Sequence, residues 1–249
     1  MAATTTTTRT DIDQPKECKL FSLPFELRTK IYSLVLETPE TGKPIDLIGH
    51  KTKDRSSIPD ELKRTNIMLV SQKLHDDVAQ YLYSAYSFAI LPVFHMSSTN
   101  PSVANIAPRY KRHMRVVRLF LGASWTKPPK SWVVNKKLGL AHLKMVHTLQ
   151  IFVLCDPSRP EFEGFRKSKE FYTLFATRLL RDILLGLPNV NQVVIDGNPS
   201  VNKNGDLVTA LEQEIRSSGK RLQWSGLFLE QLSSQLVDSF RAQSIETSS

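Results

Sequence analysis

The segments Leu140-Ala-His-Leu143-Lys-Met-Val146-His-Thr-Leu149-Gln-Ile151 and Leu184-Leu-Gly-Leu187-Pro-Asn-Val190-Asn-Gln-Val193-Val-Ile195 carry one apolar pattern, every position of the first recurring 44 residues later in the second. A partial copy, Met114-x2-Val117-x-Leu119, precedes them. The copies end in the apolar runs 116–121, 148–154 and 192–195, which alternate as strands do. Between the last two runs, Tyr172, Phe175, Ala176, Leu179 and Ile183 fall on one helical face. After the last run, Leu207, Leu211 and Ile215 mark another helix, with Asp206 as N-cap and Gly219 as stop. Strands alternating with helices predict a parallel sheet with crossover connections.

A fixed repeat spacing further predicts a stacked, irregular leucine-rich-repeat-like array. Leu222 to Trp224 is a candidate next strand, and Leu229, Leu232, Leu236 and Phe240 mark a C-terminal helix able to cap the array. The fold class expected is therefore α/β, or α+β when the N-terminal helices are included. Those helices begin in Phe21-Ser-Leu-Pro-Phe-Glu-Leu-Arg-Thr-Lys-Ile-Tyr-Ser-Leu-Val-Leu36. Pro24 suits a helix start and Glu26 the positive end of the helix dipole. Leu27, Ile31, Leu34 and Val35 then make one apolar stripe, which either packs this chain's own core or docks a partner. A second helix keeps Ile67, Val70, Leu74, Val78, Tyr81 and Leu82 on one face, and 86–91 reads as a short strand. The expected organisation is a disordered tail at 1–18, a helical module at 19–91 with an inserted loop at 37–60, a linker at 92–108, the α/β region at 109–240, and a frayed tail at 241–249.

Charge is distributed unevenly over the 249 residues, whose formal net charge is +9. No Asp or Glu occurs between Asp77 and Asp156, while that interval holds ten Lys or Arg. Outside it, 23 basic residues face 24 acidic ones, so the excess is local. Its candidate binding residues are Arg109, Lys111, Arg112, Arg115, Arg118, Lys127 and Lys130, with Trp125 and Trp132 flanking the last two. Arg118 and Phe120 should share one strand face, and Val117 and Leu119 the other. Such a region suits an acidic or phosphorylated protein ahead of nucleic acid, or is a solvated basic face. No stretch has the roughly 18 continuous apolar residues of a spanning helix, and no secretory signal opens the chain, so a cytoplasmic or nuclear protein is expected.

Chemistry is sparse in the sequence. Cys18 and Cys155 are too few for a disulfide framework or a four-cysteine zinc site. His142 and His147 are five apart, the wrong spacing for one helical face, and His75-Asp76-Asp77 reads as a solvated helix segment rather than a metal site. Cys155 reads as a small buried hydrophobe more readily than as a nucleophile. Neither a glycine-rich phosphate loop nor a nucleophile elbow occurs. Neither enzymatic activity nor a cofactor is expected.

The segment Leu23-Pro24-Phe25-Glu26-Leu27-Arg28-Thr29-Lys30-Ile31-Tyr32 resembles the opening helix of an F-box, and more closely its fungal variant Leu-Pro-x-Glu-Leu-Arg-x-x-Ile-Tyr. In that group an insert precedes a second segment similar to Leu69-Val70-Ser71-Gln72-Lys73-Leu74, then Tyr81-Leu82-Tyr83 and a strand Phe, here Phe88. The resemblance covers about 45 residues. It departs from an ordinary F-box in its insert, in Ser71 where Cys is common, and in Lys73-Leu74 where Arg-Trp is usual. The resemblance implies a substrate-recognition adaptor of an SCF-type cullin-RING ubiquitin ligase. Leu23, Pro24, Leu27 and Ile31 match the segment that docks on the ligase's small adaptor subunit, and the C-terminal repeats would hold the substrate. The alternative is a protein- or nucleic-acid-binding module that uses residues 109–144 and keeps the helices as structure alone.

Overall fold

The structure, a computed structural model, describes residues 19–36, 65–91, 102–122, 125–128, 130 and 132–226. The expected tails at 1–18 and 241–249, the insert at 37–60 and the helix through Leu229 and Phe240 lie outside the described residues. The class is mixed α/β, built on five parallel strands in the order β1-β2-β3-β4-β5: β1 (Ser87–Ala89), β2 (Val116–Leu121), β3 (Thr148–Val153), β4 (Gln192–Gly197) and β5 (Arg221–Trp224). Helices are α1 (Phe25–Leu36), α2 (Gln72–Ala85), the single turn α3 (Pro108–Lys111), α4 (Phe171–Gly186) and α5 (Asp206–Ser217).

The apolar repeat is the register of the sheet. Leu149 pairs with Val193 and Ile151 with Ile195, the same 44-residue offset that the sequence pattern shows, and Val117 and Leu119 pair with Leu149 and Ile151. Alternation decides the faces, because successive side chains of a strand point oppositely. Val117, Leu119, Leu121, Leu149, Ile151, Val153, Val193 and Ile195 are buried with Tyr172, Ala176, Leu179 and Ile183 of α4 and Leu207, Leu211 and Ile215 of α5 in one core. Arg181 of α4 donates from Nε and Nη2 to Glu214 of α5, at 2.9 and 2.6 Å, binding the two helices side by side.

Four details differ from the sequence reading. The crossover from β2 to β3 has no α-helix among the described residues; the 3-10 turns Lys136–Leu138 and Leu140–His142 carry it, with Leu138, Leu140, Leu143 and Val146 still buried. Gly205, not Asp206, is the N-cap of α5, and no side chain caps it there. Val70 is exposed, since α2 begins only at Gln72 behind its N-cap Ser71, whose Oγ accepts from the Leu74 amide at 3.2 Å. The strand grouped with the helical module, β1, is hydrogen-bonded into the sheet. Part of the expected linker joins it: the Ser102 hydroxyl donates to the Ile90 carbonyl, and Val103 and Ile106 are core. Local composition could not reveal this, because parallel pairing joins strands distant in sequence.

A second apolar cluster holds α1 to α2 through Tyr32, Leu36, Leu74, Val78, Tyr81 and Leu82. Tyr86 packs against both clusters. Tyr83 stacks on Phe88 and on Tyr110, with ring centroids 5.1 and 4.8 Å apart, and His75 Nε2 is 2.7 Å from Tyr110 Oη. An aromatic seam thus joins α2 to β1 and α3.

Candidate functional site

The Leu-Pro-x-Glu-Leu-Arg segment folds as the start of α1, and Arg28 organises it. Its Nη1 donates to the Leu23 carbonyl at 2.6 Å, while Nε and Nη2 reach Asp77 of α2 at 2.7 and 3.1 Å. Tyr32 Oη donates to the same carboxylate at 2.5 Å. Burial pushes the Asp77 carboxyl up, but the hydrogen bonds from Arg28 and Tyr32 outweigh it and hold its pKa below the ordinary value. The sequence reading gave Arg28 no role of its own and placed Asp77 in a solvated helix segment, whereas the Asp77 side chain is largely buried in this ion pair; the signal was the Arg inside the motif itself, since a long cation in a half-buried first turn needs an anion nearby.

This clamp sorts the motif residues. Tyr32 and Leu36, 0% and 1% exposed, form the core side of α1. The expected apolar stripe does not: Leu27 is 46%, Leu34 81% and Val35 37% exposed, and Ile31 is half-buried. Pro24 is exposed and Leu23 half-buried. Of the two readings left open for the stripe, packing against this chain's own core is not what the described residues do. Leu69 and Val70, just before α2, are 80% and 73% exposed.

The basic region is less unified than its composition suggests. Arg109, Arg112, Arg115, Lys127 and Lys130 are exposed. Arg109 lies on the Tyr110 ring, 4.6 Å from its centroid, and Arg112 Nε is 3.2 Å from His113 Nε2. Lys111 does not belong with them: it is 3% exposed, and its Nζ donates to the Leu138 carbonyl at 3.2 Å. Burial lowers its pKa, because a low-dielectric site disfavours the ammonium. Nor do the tryptophans form a stacking platform. Trp132 is 2% exposed and stacks on Phe175, and Trp125 packs edge-on against Phe162 at 5.0 Å. Aromatic residues that neighbour lysines in sequence serve the core instead.

Arg118 lies on the other face of the sheet, with Phe120, as strand alternation predicts. The register aligns Val116, Thr148, Gln192 and Arg221 in one row and Arg118, Gln150, Val194 and Gln223 in the next. Arg118 Nε donates to Gln150 Oε1 at 2.7 Å, and Phe120 and Phe152 meet with centroids 6.1 Å apart. The described helices α4 and α5 pack on the opposite face.

At the C-terminal ends of the strands, Cys155, Asp156, Arg159, Glu161, Phe162 and Ser200 line a cleft. The Cys155 thiol donates to the Gly122 carbonyl, and burial, with the neighbouring Asp156, pushes its pKa up to about 11, which favours the protonated thiol at neutral pH. Asp156 Oδ1 accepts from the amide and hydroxyl of Ser158, at 3.0 and 2.6 Å. Its Oδ2 has no hydrogen-bond partner and lies against Gly205, where a Cβ would come within 2.5 Å. That places the carboxylate beside the N-terminus of α5, where the helix dipole favours negative charge, as it does for Asp206 in the first turn. Among the described residues no three His, Cys, Asp or Glu side chains group as a metal site, and no helix is long and apolar enough to cross a membrane.

Comparison with protein-family models, characterised proteins and solved structures gives no match. The functional reading therefore rests on the motif and on these surfaces.

Proposed function

We propose that the chain is a non-catalytic adaptor whose F-box-like helix α1 docks on the small adaptor subunit of an SCF-type cullin-RING ubiquitin ligase. In this reading the sheet is the core of a leucine-rich-repeat-like array, and its open face receives a protein target. The observation that carries the proposal is the sorting of α1: Tyr32 and Leu36 bind the helix to its own domain, leaving Leu27, Leu34 and Val35 exposed. A helix face free of its own core is what helix-in-groove recognition uses, with apolar anchors supplying the affinity. Leu23 and Pro24 stand at the entry to that helix, held by the Arg28 hydrogen bond to the Leu23 carbonyl.

The target side would be acidic or phosphorylated. Arg118 and Arg221 stand on the open face, and Arg112 and Arg115 are exposed ahead of β2. Arginine offers paired N–H donors to carboxylate or phosphate oxygens, so these residues would set orientation and approach more than total affinity.

The test is co-purification of the full chain with the ligase adaptor subunit, comparing wild type with a Leu23→Ala, Pro24→Ala double variant. The Arg28 bond goes to a backbone carbonyl, so the variant retains it, and its circular dichroism should match wild type. Binding by the wild type and loss in the variant supports the docking face. A folded wild type that does not bind the subunit refutes the proposal. Binding that collapses between low and moderate salt would instead point to electrostatic contacts rather than apolar docking.

A further inference from the structure

The turns that lead into β2, β3, β4 and β5 are Arg112-His-Met-Arg115, Leu143-Lys-Met-Val-His147, Leu187-Pro-Asn-Val-Asn191 and Ser218-Gly-Lys220. Parallel pairing brings all of them to one end of the sheet. Met114, Val146 and Val190 anchor the first three in the core, which leaves Arg112, Arg115, Lys144 and His147 exposed beside them. Backbone hydrogen bonds keep the turns in line. The His147 amide donates to the Arg115 carbonyl at 3.1 Å, the Asn191 amide to the His147 carbonyl at 3.1 Å, and the Arg221 amide to the Asn191 carbonyl at 2.9 Å.

This rim carries charge of one sign. Arg221 is exposed and Lys220 half-buried, and the turns hold no Asp or Glu. Acidic residues of the neighbouring helices are engaged elsewhere: Glu212 accepts from Arg216 and Glu214 from Arg181, while Asp76 acts on His113. Among the described residues, Arg112, Arg115, Lys144 and Arg221 have no acidic partner. At the other end of the strands the charges are matched, Glu161 with Arg159 and Asp206 with Lys169.

Part of the rim charge answers the helices. Both α4 and α5 end here, where a helix dipole favours cations, and Lys220 Nζ donates to the Pro188 carbonyl just after α4 at 3.2 Å. That account stops short of β2 and β3. Only the single turn α3 precedes β2, and 3-10 turns lead toward β3, so Arg112, Arg115 and Lys144 neutralise no long helix.

Adjacent strands stand about 4.8 Å apart, so the row from β2 to β5 spans about 14 Å. Charges are screened over about 10 Å at 0.1 M ionic strength, so neighbours in the row act together on an anion. They are spread along the row and do not converge on one point, as the short bonds to a single phosphate require. An extended chain with a carboxylate at every second residue repeats at about 6.6 Å, and about four to five of its residues cover the row. No Phe, Tyr or Trp stands in these turns to stack a nucleic-acid base.

We infer that this rim binds an extended acidic segment of a partner protein, whose Asp and Glu side chains lie along Arg115, Lys144 and Arg221. Equating that segment with the adaptor's target rests on the proposed function, and moves the target's charged contact from the open face to the strand starts. The surface itself does not rest on it.

The test is fluorescence anisotropy of the full chain at low salt with labelled probes: a peptide of about ten residues alternating Glu and Ser, its Gln counterpart, and oligodeoxythymidine. The Glu peptide should bind and the Gln peptide should not. Arg115→Gln and Lys144→Gln should each weaken the Glu peptide about threefold, and the pair about tenfold. Both side chains are exposed, so circular dichroism should match wild type. Arg178→Gln, the same charge loss on the exposed side of α4, should leave affinity unchanged. No binding of the Glu peptide overturns the inference. An equal loss from Arg178→Gln also overturns it, because overall charge would then explain the binding. Tighter binding of oligodeoxythymidine, lost in the Arg115, Lys144 pair, would assign the rim to nucleic acid instead. Loss with Arg118→Gln but not with that pair would refute the rim and keep the acidic contact on the open face, as the proposed function has it. Failure to co-purify with the ligase adaptor subunit leaves all these affinities untouched, so the two readings fail separately.

Discussion

Truncating two leucines two residues apart on α1 should give very different results. Leu36 is 1% exposed and belongs to the α1–α2 cluster, whereas Leu34 is 81% exposed. Leu36→Ala removes three carbons from a buried site, about 2.4 kcal/mol in transfer free energy alone. The residual cavity brings the expected cost to about 3–5 kcal/mol. At Leu34 only about a fifth of the side chain leaves water on folding, so the transfer term is about 0.5 kcal/mol, and alanine's higher helix propensity offsets part of it. Urea unfolding of the full chain monitored by far-ultraviolet circular dichroism separates the cases. With slopes of about 1–3 kcal/mol/M, Leu36→Ala should lower the midpoint by about 1 M or more, and Leu34→Ala should leave it nearly unchanged. Equal midpoint shifts would refute the division of α1 into a core side and a free side. The docking argument would fall with it.

Two further outcomes test the sheet region. Tyr172 Oη accepts the Gly122 amide at 2.6 Å in a buried site, so Tyr172→Phe leaves that donor unpaired and should cost about 1–3 kcal/mol in thermal or urea unfolding, where a purely apolar role would cost almost nothing. The pKa of Lys111 is lowered by burial from its ordinary 10.5. Between the lowered folded value and 10.5 the unfolded chain binds the extra proton, so stability rises with pH through that window. Below the folded value the full penalty for burying the ammonium applies. Wild type should therefore gain stability relative to Lys111→Met as pH is raised from about 8 toward 10.5; a difference independent of pH would show that the ammonium is not desolvated.

Much of the architecture is written in local periodicity. The 44-residue apolar repeat is the β3–β4 register, the stripe through Tyr172 and Ile183 is the inner face of α4, and Arg118 and Phe120 share a strand face as alternation requires. These are legible because residues close in sequence meet the same environment at a spacing set by backbone geometry alone. The placement of single side chains was not. Lys111 and Trp132 read as members of a basic, aromatic surface, and both are buried; periodicity left Leu34 and Val35 open between core and docking face, and both are exposed.

The sequence by itself determined the parallel α/β class, the helices that flank the sheet and the motif that opens α1. Tertiary structure decided which face of α1 remains free, through the Arg28–Asp77–Tyr32 contacts across two helices 49 residues apart in sequence at Arg28 and Asp77. It also decided that β1 and Val103 belong to the sheet, and that Lys111 spends its charge on the Leu138 carbonyl. The physical reason is common to all three. Periodicity records which residues prefer to leave water, but which of them find room, a partner charge or a strand edge depends on segments brought together only by the fold.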